Sequence, residues 1–385
     1  MRRRKIIQLL SLILFLASIY LLNYTNPFLR IDPLVNFISF AAGSGTKFIM
    51  LFLIFFLIIF IFGNIFCDYI CPLRTCFDYA HLCLKHLIKL QLNIKVFKKL
   101  KFIILILLIL LFIFHKQLFF LFDPIVILTR AFTFNTLPPI ILLLVIIILS
   151  GLSYRFWCNY FCPLGSLISI FLQTRKLVPK QKQKQQVDFV TRRELIKALF
   201  LLPMQITLAT KMKIKHRLLL RPPGSVEEDL FILGCLRCGA CIKICPTKVI
   251  EPAKLYDGIE NFWSPKLVYA KSYCAFDNCF LCYKVCPTGV IRAPHYGKKI
   301  KIGVAKVKRE NCLVWSKNIS CYICEEVCPK NAVYRASDFE PITGQQTTGP
   351  AVNEEICVGC GLCENRCPAL PKAITVHPEG EIRAY

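Results

Sequence analysis

Residues 235–246 read CLRCGACIKICP and residues 357–368 read CVGCGLCENRCP. Both spell C-x2-C-x2-C-x3-C-P, a bacterial iron–sulfur spacing: Cys235, Cys238, Cys241 and Cys245 before Pro246, and Cys357, Cys360, Cys363 and Cys367 before Pro368. Two stretched versions lie between them. They are Cys274, Cys279, Cys282 and Cys286 before Pro287, and Cys312, Cys321, Cys324 and Cys328 before Pro329. A cubane cluster needs four thiolates, and three ligands two residues apart let a tight loop wrap one face of the cube. The fourth ligand in two-cluster ferredoxins serves the neighbouring cluster, and the proline turns the chain away. Four motifs therefore predict four [4Fe–4S] clusters. Structural zinc or a disulfide framework is the plainer reading of an even cysteine count, but neither has a use for the x3-Cys-Pro ending four times over.

Working outward, residues 217–385 are expected to form an α+β ferredoxin-like polyferredoxin domain. Short apolar pieces follow each Cys-Pro (Val249-Ile250, Val290-Ile291, Ala332-Val333, Ala373 to Val376) and predict short strands. The chain before this block is of another kind. Hydrophobic residues make up 55% of the whole, with 31 Phe, and the mean hydropathy is +0.53. Apolar runs at 6–22, 48–66, 102–114 and 140–152 predict an α-helical membrane anchor of four helices over residues 1–175. The basic start, Arg2 to Lys5, suits a signal-anchor helix. Basic residues gather after the second and fourth runs, including Arg74, Lys85, Lys89, Arg155 and Arg175, which the positive-inside rule would set on the cytoplasmic side. The net charge of +26 is otherwise a nucleic-acid signal. It loses that meaning because much of it flanks apolar runs and each oxidised cluster with four thiolates contributes about −2. No nucleic-acid partner is expected.

The anchor repeats itself. Asp32-Pro33 recurs as Asp123-Pro124, and Cys67-x3-Cys71-Pro72-Leu73 recurs as Cys158-x3-Cys162-Pro163-Leu164, each at an offset of 91 residues. Two repeated hairpins follow, each with an Asp-Pro step that reads as an N-cap with proline at the first helical position. The four thiols Cys67, Cys71, Cys158 and Cys162 are candidates for a further metal centre or a redox disulfide, or they stay free. Cys76 and Cys83 read as spare thiols, and His115 as a polar helix end. Residues 176–190 form a basic linker. Residues 191–216 open with Arg192-Arg193, which resembles a twin-arginine export signal and otherwise flanks a fifth helix.

Leu220-Arg221-Pro222-Pro223-Gly224 and the four motifs resemble the G subunit of periplasmic nitrate reductase systems and its methylamine-utilisation ferredoxin relatives. The first 175 residues resemble the H subunit of those systems, joined here in one chain and without that subunit's additional ferredoxin motifs. The resemblance implies a multi-pass protein of the bacterial inner membrane with its clusters on the periplasmic side. It would take electrons from menaquinol or ubiquinol, through a quinone site, to a periplasmic cytochrome or reductase. The alternative it allows is an accessory factor that matures or activates a periplasmic metalloenzyme. By analogy with other four-cluster subunits the first motif is expected to pair with the fourth and the second with the third, Cys367 then completing the set of Cys235, Cys238 and Cys241. First-with-second and third-with-fourth is the other arrangement.

Overall fold

Each Asp-Pro step starts a helix in the way its two residues dictate. A computed structural model describes residues 2–21, 26–43, 46–62, 66–87, 100–113, 119–134, 136–175, 218–276, 279–293, 300–339 and 346–383. In it the Asp32 carboxylate accepts the Leu34 N–H at 2.8 Å, and Asp123 accepts those of Ile125 and Val126 at 2.9 and 3.2 Å. Pro33 and Pro124 take the first helical position, where a missing N–H costs nothing.

The chain divides into two compact units, Met1–Lys215 with Asp229–Cys238, and His216–Glu228 with Gly239–Tyr385. In the first, α1 (Arg2–Leu21), α2 (Pro27–Ile31), α3 (Pro33–Ala41), α4 (Thr46–Phe62) and α5 (Pro72–Leu87) make one half. The other half is α6 (Leu100–Ile113), α7 (Phe119–Phe122), α8 (Pro124–Thr133), α9 (Leu137–Leu152), α10 (Phe156–Tyr160) and α11 (Pro163–Arg175). The core side chains include Phe15, Val35, Leu73, Phe77, Ile125 and Val126, all at most 1% exposed.

The expected membrane anchor is overturned. Among the described residues no helix is long and apolar enough to cross a membrane. The apolar runs fold as helices of 17, 14 and 16 residues, short of the about 20 that a bilayer core requires. The 20-residue α1 spends its first turn on Arg2, Arg3, Arg4 and Lys5. A multi-pass placement in the inner membrane, with the clusters on its outer side, falls with the anchor. Two of the basic residues read as loop charges have a structural use instead: Arg74 pairs with Asp68 at 2.6 Å and Arg155 with Asp78 at 2.9 Å. The segment at 191–216, with Arg192 and Arg193, and His115 lie outside the described residues.

The second unit is built on two-stranded antiparallel ribbons. β1 (Ile250–Pro252) pairs with β2 (Pro265–Leu267), β3 (Val304–Val307) with β6 (Ile374–His377), and β4 (Val333–Phe339) with β5 (Gln346–Val352). Strands thus follow the first, third and fourth motifs, and an isolated bridge from Ser225 to Ile291 follows the second. A short helix carries the third ligand of each motif: α12 (Ala240–Ile244), α13 (Leu281–Val285), α15 (Ile323–Glu326), preceded by α14 (Leu313–Lys317) directly after Cys312, and α16 (Leu362–Arg366). Arg221 clamps the entry to this unit. Its guanidinium meets Glu228 at 2.5 Å, Ser264 Oγ at 2.8 Å, Asn261 Oδ1 at 2.7 Å and the Pro265 carbonyl at 2.7 Å, with 1% of the side chain exposed.

Candidate iron–sulfur centres and a second thiol cluster

Two cavities of about 370 Å³ each, counting the part open to solvent, sit between the ribbons of the second unit. One is lined by Cys357, Cys360 and Cys363 of the fourth motif together with Cys328, the last cysteine of the third, among apolar neighbours such as Val333 and Val376. The other is lined by Cys312, Cys321 and Cys324 of the third motif together with Cys367, the last cysteine of the fourth, beside Ile323 and Ile374. Each cavity therefore takes three cysteines from one motif and one from the other. The strand register explains the exchange: Val307 opposite Ile374 sets the end of the fourth motif beside the start of the third. The expected pairing of the first motif with the fourth is thereby corrected, because Cys367 stands with the third motif's cysteines.

The first two motifs show one side of the same exchange, the last cysteine of the first standing with the second motif's set. α12 and α13 pack together, and Cys245 is close enough to Cys274 and Cys282 to interact electrostatically with both. The second and fourth sets adjoin, since the Cys274 N–H donates to the Cys360 carbonyl at 2.8 Å. Tyr269 is buried there, its hydroxyl donating to the Gly359 carbonyl at 2.5 Å.

The thiols suit a cationic iron–sulfide core better than they suit one another. Burial first, and then Cys312 and Cys321, push the Cys324 thiol up to about 12; burial, Cys279 and Cys245 do the same to Cys282. Thiolates are held there only with positive charge between them. Among the described residues no three His, Cys, Asp or Glu side chains are arranged to hold a metal ion. A single zinc would need sulfurs about 3.8 Å apart, from Zn–S bonds of about 2.3 Å, whereas thiols around a cube stand further off.

Helix packing in the first unit brings its two Cys-x3-Cys pairs together. α5, which follows Cys71-Pro72, packs on α9 of the other half, and α11, which follows Cys162-Pro163, packs on α4 of the first. Cys71 and Cys162 are buried and Cys67 and Cys158 half-buried, all as free thiols. Every pair among the four is within electrostatic reach. Cys76 is half-buried and Cys83 exposed.

One participant escaped the sequence reading. Arg130 is 1% exposed; its Nε donates to the Arg237 carbonyl at 3.0 Å and its guanidinium to the Phe120 carbonyl at 3.1 Å. Arg237 stacks on the same Phe120 ring at 4.0 Å, and Thr133 Oγ1 donates to the Cys238 carbonyl at 2.5 Å. Burial and then Arg237 lower Arg130 to about 9, while Cys238 and Cys235 act to raise it. Two arginines thus lie beside the first two cysteines of the first motif. The available signal was one charge inside the apolar run IVILTRAF.

Residues 234–290 and 317–370 match the family described as 4Fe-4S dicluster domain, and residues 45–91 and 135–181 the family described as 4Fe-4S binding domain. The methylamine utilization ferredoxin-type protein MauM of Methylorubrum extorquens is 35% identical over 166 residues, 41% of this chain and 72% of the relative. Ferredoxin-type protein NapG of Escherichia coli is 34% identical over 164 residues, 41% of this chain and 70% of the relative. Ferredoxin-type protein NapF of Haemophilus influenzae is 34% identical over 166 residues, 41% and 78%. No solved structure matches the chain.

Proposed function

The chain belongs to the ferredoxin-type proteins that include MauM and NapG, and on that premise we propose that its sixteen motif cysteines hold four [4Fe–4S] clusters which relay single electrons to a soluble redox partner. The carrying observation is the three-plus-one composition of the two cavities, which is the ligand exchange of two-cluster ferredoxins. Cys312, Cys321, Cys324 and Cys367 make one ligand set; Cys357, Cys360, Cys363 and Cys328 make a second; Cys274, Cys279, Cys282 and Cys245 make a third. The clusters supply one-electron redox chemistry when bound.

The protein's residues set distance and potential. The contact of Cys274 with Cys360 orders the relay as first, second, fourth, third motif. Arg130 and Arg237 place positive charge beside Cys235 and Cys238, which favours the reduced state of the cluster they serve. The electron donor we assign is a quinol, menaquinol or ubiquinol. The apolar faces of α1, α4, α6 and α9, exposed at Ile13, Leu57, Ile106 and Leu144, are the kind of surface an apolar donor meets. Anaerobic addition of a reduced menaquinol analogue tests the donor: it bleaches the cluster absorbance near-stoichiometrically on this reading. An intact, fully loaded protein that dithionite bleaches and the quinol does not would remove the quinol from the account.

A further inference from the structure

The two halves of the repeat build the surroundings of a sulfur twice over. In the first, the Cys71 N–H donates to the Phe66 carbonyl at 2.9 Å, closing a turn of π-helix over Phe66–Ile70; in the second, the Cys162 N–H donates to the Trp157 carbonyl at 3.0 Å. Thr75 Oγ1 then donates to the Cys71 carbonyl at 3.4 Å, and Ser166 Oγ to the Cys162 carbonyl at 3.1 Å. The Gly165 amide donates to Cys162 Sγ at 3.4 Å, and the Arg74 amide serves Cys71 in the same way. Phe66 and Trp157, Thr75 and Ser166, and Arg74 and Gly165 are all 91 residues apart, so the repeat conserves amides aimed at sulfur as well as the sulfurs.

We propose that Cys67, Cys71, Cys158 and Cys162 together ligate one additional [4Fe–4S] cluster, two thiolates coming from each half of the repeat. The count requires sharing, because residues 135–181 match a 4Fe–4S binding family while containing only Cys158 and Cys162. The packing of α5 on α9 and of α11 on α4 joins the two pairs. Backbone N–H groups directed at sulfur stabilise thiolate ligands of a cluster and have little to gain from a disulfide or a neutral thiol. Cations stand round the quartet: Arg74 and Arg155 face Cys158, and Lys101, whose Nζ donates to Ser169 Oγ at 2.9 Å, faces Cys162 and Cys67. Asp68 and Asp78 hold the two arginines in place, and Asp32 lies buried on the Cys67 side. A cluster with four thiolates is an anion, and this is the charge such cations balance. As a relay station the site rests on the electron-transfer reading above; as a binding site it is tested separately.

The test is iron and acid-labile sulfide analysis, with low-temperature electron paramagnetic resonance after reduction, on anaerobically purified full-length protein. Five clusters give about 20 iron and about 20 sulfide per chain. Changing all four of Cys67, Cys71, Cys158 and Cys162 to Ser removes about 4 of each and leaves the signals of the ferredoxin motifs in place. Cys158→Ser with Cys162→Ser alone removes the same four, whereas Cys76→Ser with Cys83→Ser removes none. A four-fold variant with as much iron as the parent overturns the proposal, as does additive loss from the two halves or loss of one zinc in place of iron. Where the four-fold variant does not fold, alkylation of the parent decides: these four thiols are protected until iron is chelated, and labelling before chelation overturns the site. A parent holding well under about 16 iron with all cysteines present would instead fail the four-cluster reading, a distinct outcome.

Discussion

Gly361→Ala tests how tightly the fourth motif is wound round its site. Gly361 lies between Cys360 and Cys363 with φ +75°, a conformation that costs an L-residue about 1–2 kcal/mol. An added Cβ would stand 2.1 Å from Tyr269 Cδ1, so the ring would have to retreat by about 1.3 Å to reach ordinary contact at 3.4 Å. Tyr269 has no such freedom. It is 2% exposed, its hydroxyl is bonded to the Gly359 carbonyl, and its own carbonyl accepts from Asn365 at 3.0 Å. Overpacking of this kind costs about 1–3 kcal/mol, for a total of roughly 2–5 kcal/mol. Gly380→Ala is the control: φ is +73°, but the nearest atom is Val304 Cγ2 at 3.0 Å and it lies outside the motifs, so about 1–2 kcal/mol is expected. In an anaerobic urea titration followed by cluster absorbance, Gly361→Ala should lose colour at roughly 1–2.5 M less urea than the parent, taking an m-value of about 2 kcal/mol/M. Its losses should begin with the set of Cys357, Cys360, Cys363 and Cys328. Equal midpoints for the two glycine variants, with full iron in both, would refute the steric argument.

Arg221→Ala removes one partner of a buried network and should destabilise the second unit by about 3–5 kcal/mol in the same titration. Glu228 gives the matching pH dependence. Burial opposes its charge, but Arg221 and Arg383 outweigh it and hold the carboxyl below its usual range. A group lowered on folding stabilises above its unfolded value of about 4.3 and loses that contribution as pH falls through the folded value, so Glu228→Gln should flatten the stability profile only on the acid side of about pH 4. Arg130→Gln should lower the potential of one cluster by tens of millivolts, about 60 mV for each 1.4 kcal/mol of lost one-electron stabilisation, and leave the others unmoved in a redox titration.

The cysteine spacing and the Asp-Pro steps were legible in the sequence because each is local: Asp123 caps α8 with groups two and three residues away. The partnership of Cys367 with Cys312 was not, since it is fixed by strands about 70 residues apart whose register no local signal carries. The apolar runs misled in a physical way. Hydropathy reports what avoids water, and the runs at 48–66, 102–114 and 140–152 satisfy that within helices too short to span, α4 and α9 in part by packing against the other half. The use of Arg130 was not legible, because it depends on Phe120 and Arg237, which meet it only in the fold.

The central claim is the exchange of the last cysteine between motifs, and single Cys→Ser variants read by electron paramagnetic resonance test it most directly. The account predicts that Cys367→Ser and Cys324→Ser alter one and the same cluster signal, and that Cys328→Ser and Cys363→Ser alter another. A Cys367→Ser variant that changes the signal reporting on Cys357, Cys360 and Cys363 would contradict it.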